Sequence, residues 1–169
     1  AHLPRLQKMG VDILWFMPIQ PIGKFKRKGT LGSYYAIADY TAVNPELGTL
    51  ADFKALVQQA HALGMKVILD WVANHTAWDH VWTRQHPQWY LKNAQGEIHS
   101  YLYDNGTEIE DWSDVCGLDY QQAPLWTAMT EAMLYWLREA DVDGFRCDVA
   151  GLVPTPFWEQ ARAQIGRAH

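Results

Sequence analysis

Apolar residues recur along this chain with two alternating periods, one typical of amphipathic helices and one typical of buried strands. A helical pattern occupies residues 3–9 and stops at Gly10. The apolar run 11–17 follows directly and ends at Pro18, which predicts a strand. The same order of helix, stop and apolar strand is repeated twice more.

The second repeat carries clear helix boundaries. Thr49 is a favourable N-cap, and Asp52 lies three residues on, as in a capping box. Helically spaced apolar residues continue to Gly64, a typical C-terminal stop. The predicted strand 65–69 then leads into Asp70.

The third repeat has the same form. Its predicted helix spans residues 125–137, and the strand 142–147 ends at Asp148. A final helix is predicted to start near residues 154–157. In the second and third repeats, the apolar strand ends at a carboxylate.

These strands predict an α/β fold built on a parallel sheet. Nearly continuous apolar strands are buried on both faces, with helices outside. Either a doubly wound sheet or a (β/α)8 TIM barrel fits the repeat. The strand ends lack a glycine-rich phosphate fingerprint, and their polar residues favour the barrel, whose active sites lie at that face.

The barrel is expected to be partial, because a complete one needs about 200 residues or more and this chain has 169 with three clear strands. Residues 80–118 depart from the repeated order of helix and apolar strand, and they are predicted to form a small, loop-rich excursion after the third strand. The predicted domains are therefore residues 1–79 and 119–169 for the barrel, with 80–118 inserted.

Composition limits the partners of the chain. A net charge of −5 and a pI near 5.7 argue against a nucleic-acid partner. No apolar run reaches the roughly 18 residues of a membrane span, so no membrane association is expected. The nine tryptophans and eight tyrosines suit either a core or a sugar-binding groove. Cys116 and Cys147 are expected to be free thiols.

Arg146 and Asp148 are the strongest candidates for chemistry. Residues two apart in a strand face the same way, so these side chains should project together. A guanidinium beside a carboxylate favours its charged form, which a carboxylate nucleophile requires. The alternative is a structural ion pair. The basic run 24–28 is predicted to be a solvated loop without an assigned role.

Four segments of the chain resemble the α-amylase family of retaining α-glucoside hydrolases and transglycosidases. Residues 70–75 and 144–148 look like its first and second signatures. Residues 10–18 are similar to its second barrel strand, and residues 35–49 to the loop before its second helix. Order and spacing agree over essentially the whole chain, which would then hold about barrel strands 2–4.

The resemblance implies a role for each matching residue. Asp148 would be the nucleophile, and Arg146 would hold it ionised and oriented. His75 would hydrogen-bond the sugar in the subsite of cleavage, and Tyr35 would stack on that sugar. Asp70 would be a buried structural carboxylate beside Arg146, and it is counted with His75 and Tyr35 among the substrate-binding residues. A satisfied loop histidine and a packing tyrosine remain the alternatives for His75 and Tyr35.

The resemblance also raises the question of calcium. Asn74 stands where many members place a calcium ligand, but Gly117 stands where the family usually has a calcium-binding aspartate. Asp114 lies nearby and out of register. No cofactor is expected to be required, and a calcium ion is doubtful.

The implied activity is retaining cleavage of α-glucosidic bonds in starch-like or maltodextrin substrates. The family's acid/base glutamate lies on later strands, so this chain alone is expected to be inactive. A partial barrel also leaves strand edges unpaired, so the chain is expected to self-associate through them. Gly151 and Leu152 depart from the lysine and histidine of many true α-amylases. A transglycosidase, or a non-catalytic barrel for carbohydrate binding or assembly, remains an alternative, and the sequence identifies no compartment.

Overall fold

The computed structural model describes residues 2–166, which form five α-helices and six strands. The helices are α1 (Leu3–Lys8), α2 (Leu50–Ala62), α3 (Trp82–Gln85), α4 (Ala123–Ala140) and α5 (Thr155–Ile165). The strands are β1 (Ile13–Phe16), β2 (Lys66–Val72), β3 (His75–Ala77), β4 (Ser100–Asp104), β5 (Ile109–Gly117) and β6 (Gly144–Asp148).

The helix boundaries follow the predicted signals. At the start of α2, the Thr49 side chain accepts a hydrogen bond from the Asp52 N–H, and the Asp52 carboxylate accepts one from the Thr49 N–H at 2.8 Å. This reciprocal capping box satisfies two N–H groups that a helix start otherwise leaves unpaired. After α2, Gly64 adopts a φ of +77°, which glycine reaches without steric cost.

The centre of the fold is a three-stranded parallel sheet in the order β1–β2–β6. The middle strand β2 is the most deeply buried, and Val67, Leu69 and Trp71 have no exposed surface. Helices α2 and α4 pack outside the sheet, where Phe53 meets Trp136 edge to face at 5.8 Å. The predicted α/β class is confirmed: the described residues form part of a parallel barrel and not a closed one.

A second, antiparallel sheet in the order β3–β5–β4 lies between β2 and α4 along the chain. Strands β4 and β5 form a hairpin joined by residues 105–108, where Gly106 has a φ of +87° and its N–H donates to Asp104 Oδ1 at 2.8 Å. Strand β3 lies before residue 80, so this sheet draws on residues from both sides of the predicted domain boundary. The division into domains stays a prediction.

Both cysteines are free, as predicted: Cys116 is buried and Cys147 half-buried. Burial raises the pKa of the Cys116 thiol to about 12 and that of Cys147 to about 11. Over residues 2–166, no helix combines the length and apolar character that crossing a membrane requires.

Candidate active site

The predicted pair of Arg146 and Asp148 is present at the carboxyl end of the parallel sheet. Arg146 Nη1 donates to Asp148 Oδ1 at 2.7 Å and to Asp70 Oδ1 and Oδ2 at 3.1 and 3.2 Å. Asp70 and Arg146 are register partners on β2 and β6. Desolvation alone would lower the pKa of Arg146, but its bonds to Asp148 and Asp70 outweigh it and raise that pKa. The single guanidinium of Arg146 therefore pairs with two carboxylates, those of Asp70 and Asp148.

Asp70 is the buried member of this group. Its side chain has no exposed surface, and it also accepts hydrogen bonds from Trp15 Nε1 at 3.2 Å and the Tyr35 hydroxyl at 3.3 Å. Burial raises the pKa of Asp70, and the pull of Arg146 in the opposite direction offsets this only in part. These contacts suit the structural carboxylate that the resemblance implied.

Trp15 is a residue of this group that sequence reasoning missed. Its ring lies 5.2 Å from the Arg146 guanidinium, and its indole N–H binds Asp70. A weak signal was available, because Ile13, Trp15 and Met17 alternate along the first strand pattern and should share one face.

His75 is buried between aromatic side chains at the start of β3. Its ring meets Trp112 edge to face at 5.6 Å and lies 6.2 Å from Tyr101. Burial lowers the pKa of His75 to about 4, so the ring is neutral near pH 7. Its Nδ1 lies 3.1 Å from Asn74 Nδ2. An amide nitrogen can only donate, so Nδ1 accepts and Nε2 carries the proton as a donor.

Three of the predicted residues meet at one cavity of about 290 Å3. Tyr35, His75 and Asp148 line it, and Asp70 is joined to it through the Tyr35 hydroxyl. Burial, followed by the negative charges of Asp70 and Asp148, raises the pKa of Tyr35 and keeps its hydroxyl protonated. The remaining lining residues were not predicted: Lys28, Ser33, Trp112, Asp114 and Val115.

The residue after Asp148 has a strained backbone. Val149 adopts φ 38° and ψ 42°, a left-handed conformation that is unfavourable for a β-branched residue. Such conformations cost about 1–3 kcal/mol and cluster at functional sites. The turn ends β6 at Asp148 and starts the short 3₁₀ helix Ala150–Leu152. Nothing in the sequence at Val149 signals this strain.

The family model for the α-amylase catalytic domain matches residues 1–165. The chain belongs to the α-amylase family. It is 39% identical to an α-1,4-glucan:maltose-1-phosphate maltosyltransferase of Rhodospirillum rubrum, over 98% of this chain and 26% of that protein. The chain thus spans about a quarter of that relative.

Two solved structures of α-amylase family members resemble the fold of this chain closely. An α-amylase from Lactobacillus plantarum is 51% identical with a TM-score of 0.89, over 99% of this chain and 37% of that one. A maltogenic α-amylase, AmyB, from Thermotoga neapolitana is 46% identical with a TM-score of 0.88, over 98% and 37%. Both are fold matches over a little more than a third of the solved chain.

The position where the α-amylase family usually has a calcium-binding aspartate is closely packed in this chain. Gly117 pairs with His75 across β3 and β5, and a Cβ at residue 117 would lie 2.6 Å from the Tyr101 ring and 2.8 Å from Leu91. A carboxylate side chain has no room there. Over residues 2–166, no group of three or more histidine, cysteine, aspartate or glutamate residues is placed to hold a metal. Asn74 as a ligand stays a prediction that these contacts do not support.

Proposed function

We propose that this chain is part of the catalytic barrel of an enzyme that cleaves or transfers α-glucosidic bonds in starch-like glucans or malto-oligosaccharides. The observation that carries the proposal is the 2.7 Å bond from Arg146 to Asp148, in a cavity shared with His75 and Tyr35. Barrel enzymes place their active sites at this carboxyl end of the strands.

Asp148 is the proposed nucleophile. One carboxylate oxygen forms a bond to the anomeric carbon of the sugar while the glycosidic bond breaks, and an acid protonates the departing oxygen. Water or a sugar hydroxyl then attacks the same carbon and releases Asp148. Arg146 pairs with the Asp148 carboxylate and fixes its orientation, and Asp70 fixes Arg146 from the other side.

The acid/base group is proposed to lie elsewhere in a longer protein. Retaining chemistry needs a second carboxyl group about 5–5.5 Å from the nucleophile. The other carboxylate lining the cavity in the described part of the chain, Asp114, is engaged by Lys28 at 3.1 Å. The relatives extend well beyond the matched region. The isolated chain is therefore expected to be inactive.

Hydrolysis is the favoured outcome and transfer is the second candidate. The higher identity, 51%, is to a protein described as an α-amylase. The 39% identity to a maltosyltransferase supports transfer to a sugar acceptor. A binding-only barrel has no use for a carboxylate that an arginine holds in the cavity, which argues against the non-catalytic alternative.

The test is covalent trapping in the full-length protein. A fluorinated α-glucosyl fluoride should add one glycosyl unit that peptide mass mapping places on Asp148. Asp148→Asn should lower kcat on the order of 10³-fold or more and abolish the adduct. Asp12→Asn, on the exposed residue before β1 at the opposite end of the sheet, is the matched control. An adduct elsewhere, or near-normal turnover by Asp148→Asn, would overturn the proposal.

A further inference from the structure

The last residue of the basic run 24–28 lies in the active-site cavity rather than in solvent alone. Lys28 Nζ is 3.1 Å from Asp114 Oδ1, and both residues line the cavity that contains Asp148. Lys28 comes from the loop between β1 and α2, and Asp114 from β5 of the antiparallel sheet. The ion pair therefore joins two separate parts of the chain across the cavity.

This pair differs from an ordinary surface salt bridge. The Asp114 side chain is only 7% exposed, whereas that of Lys28 is 55% exposed. A buried carboxylate is costly unless it is paired, and among the described residues Lys28 is its charged partner. Asp114 thus holds a solvent-reachable ammonium group at a fixed place on the cavity wall.

The loop that carries Lys28 is itself fastened to the chain after β3. Lys26 Nζ lies 3.5 Å from the centre of the Trp78 ring, and Phe25 packs edge to face on the same ring at 6.5 Å. The Asp79 carboxylate accepts from the Lys24 N–H at 2.9 Å. These contacts hold the loop in place just before Lys28, so the position of the lysine does not depend on the ion pair alone.

The chemistry of this wall suits a neutral sugar. An ammonium group has three N–H donors, and the contact with Asp114 uses one, so two are available for hydroxyl oxygens. Trp112 lines the same cavity and brings an aromatic ring to this wall, and aromatic rings are suited to contact with the C–H side of a sugar. Hydroxyl acceptors and an apolar ring face are both properties of a malto-oligosaccharide.

We infer that Lys28, held in place by Asp114, is a specificity-determining residue that donates hydrogen bonds to the sugar unit beside the one attacked by Asp148. The inference rests on the proposed glucosidase or transglycosidase function. In the proposed arrangement, a sugar chain that continues toward the antiparallel sheet has to pass this ion pair. The pair therefore limits the sugar units bound on that side and favours short malto-oligosaccharides over long glucan chains.

The test compares variants of the full-length protein on maltotetraose and on soluble starch. The double variant Lys28→Met/Asp114→Asn removes both charges, so no buried carboxylate is left unpaired. Because a hydrogen bond from a charged donor is lost, KM for maltotetraose should rise about tenfold or more with kcat changed less than about threefold. The activity ratio of starch to maltotetraose should rise, and Tm should stay within about 3 °C of the wild type.

Lys24→Met is the matched control, because it removes a lysine from the same run outside the cavity lining. It should leave KM for maltotetraose unchanged. If the double variant keeps the wild-type KM and substrate preference while Asp148→Asn is inactive, the ion pair is purely structural and the inference is wrong. If Asp148→Asn turns over normally, the proposed function fails and the inference falls with it.

Discussion

At the scale of single residues, burial separates two carboxylates that share one cation. Asp148 keeps 16% of its side chain exposed and faces the cavity, whereas Asp70 has none exposed. In the proposed reaction, Asp148 loses its charge when it becomes an ester. Arg146 then still has Asp70 as a counter-ion, so the intermediate does not leave an unpaired guanidinium in the site.

Buried histidines make the folded state sensitive to acid. Burial lowers the pKa of both His75 and His80 to about 4. Each takes up a proton more readily when unfolded, so the stability it contributes is complete above about pH 6.5 and is lost as the pH falls toward 4. Urea unfolding should show a free energy of unfolding that falls through this range.

His80→Gln should reduce that pH slope by up to about 1.4 kcal/mol per pH unit, because it removes one of the two titrating groups. His80 does not line the cavity of Asp148, so this variant tests stability apart from activity. The control is His2→Gln, at an exposed residue outside the core. An unchanged slope in His80→Gln would contradict the prediction.

The sequence predicted those residues of the site whose signal is local. Arg146 and Asp148 lie two apart in one strand, and their pairing follows from strand geometry. Lys28 sits in a charged run typical of a solvated loop, and 86 residues separate it from Asp114. No periodicity identifies such a contact, because it depends on how the loop and the antiparallel sheet fold over the barrel strands.

At the scale of helices and strands, local signals were again predictable from the sequence and long-range pairing was not. The helix start at Thr49 and the stop at Gly64 were predicted because caps are local chemistry. The antiparallel sheet was missed, since charged residues interrupt the apolar pattern of β5 and its partner β3 begins more than 30 residues earlier. Register across such a distance is set by tertiary packing.

The close packing around Gly117 predicts a response to chelators and to mutation. Because Tyr101 and Leu91 occupy the space a carboxylate would need, a chelator should leave Tm unchanged. Gly117→Asp should lower stability by about 1–3 kcal/mol, as overpacking does, and added calcium should not restore it. Thermal unfolding with and without EDTA and calcium measures both effects.

Gly151→Ala separates the packing effect from the general loss of a glycine, because Gly151 has open space around it and, like Gly117, no left-handed φ. Rescue of Gly117→Asp by calcium, or a clear fall in the Tm of the wild type with EDTA, would contradict this prediction.

At the scale of the whole molecule, the described parallel sheet has two free edges, β1 and β6. Ile13 and Trp15 on β1 and Met17 just beyond it are 49–56% exposed. On the other side, an apolar groove of about 350 Å3 lies between β6, α4 and α5. Unpaired strand edges beside apolar surface promote association.

The isolated chain is therefore predicted to self-associate in sedimentation velocity experiments. Ile13→Lys should shift the distribution toward monomer, because a charge on an edge strand opposes pairing. Ile109→Lys is the matched control: Ile109 is 59% exposed, similar to Ile13, but lies on β5, the middle strand of the antiparallel sheet. A wild-type chain that sediments as a single monomeric species would contradict the prediction.

The bond between Arg146 and Asp70 also bears on the order of events during synthesis. The two residues are 76 positions apart, and ribosomes add about 5–20 residues per second, so Arg146 emerges about 4–15 s after Asp70. Until then the central strand cannot be buried with its ionised carboxylate paired. The nascent chain must therefore hold β2 with Asp70 still unpaired for that interval, and the proposed nucleophile Asp148 emerges only two residues after Arg146.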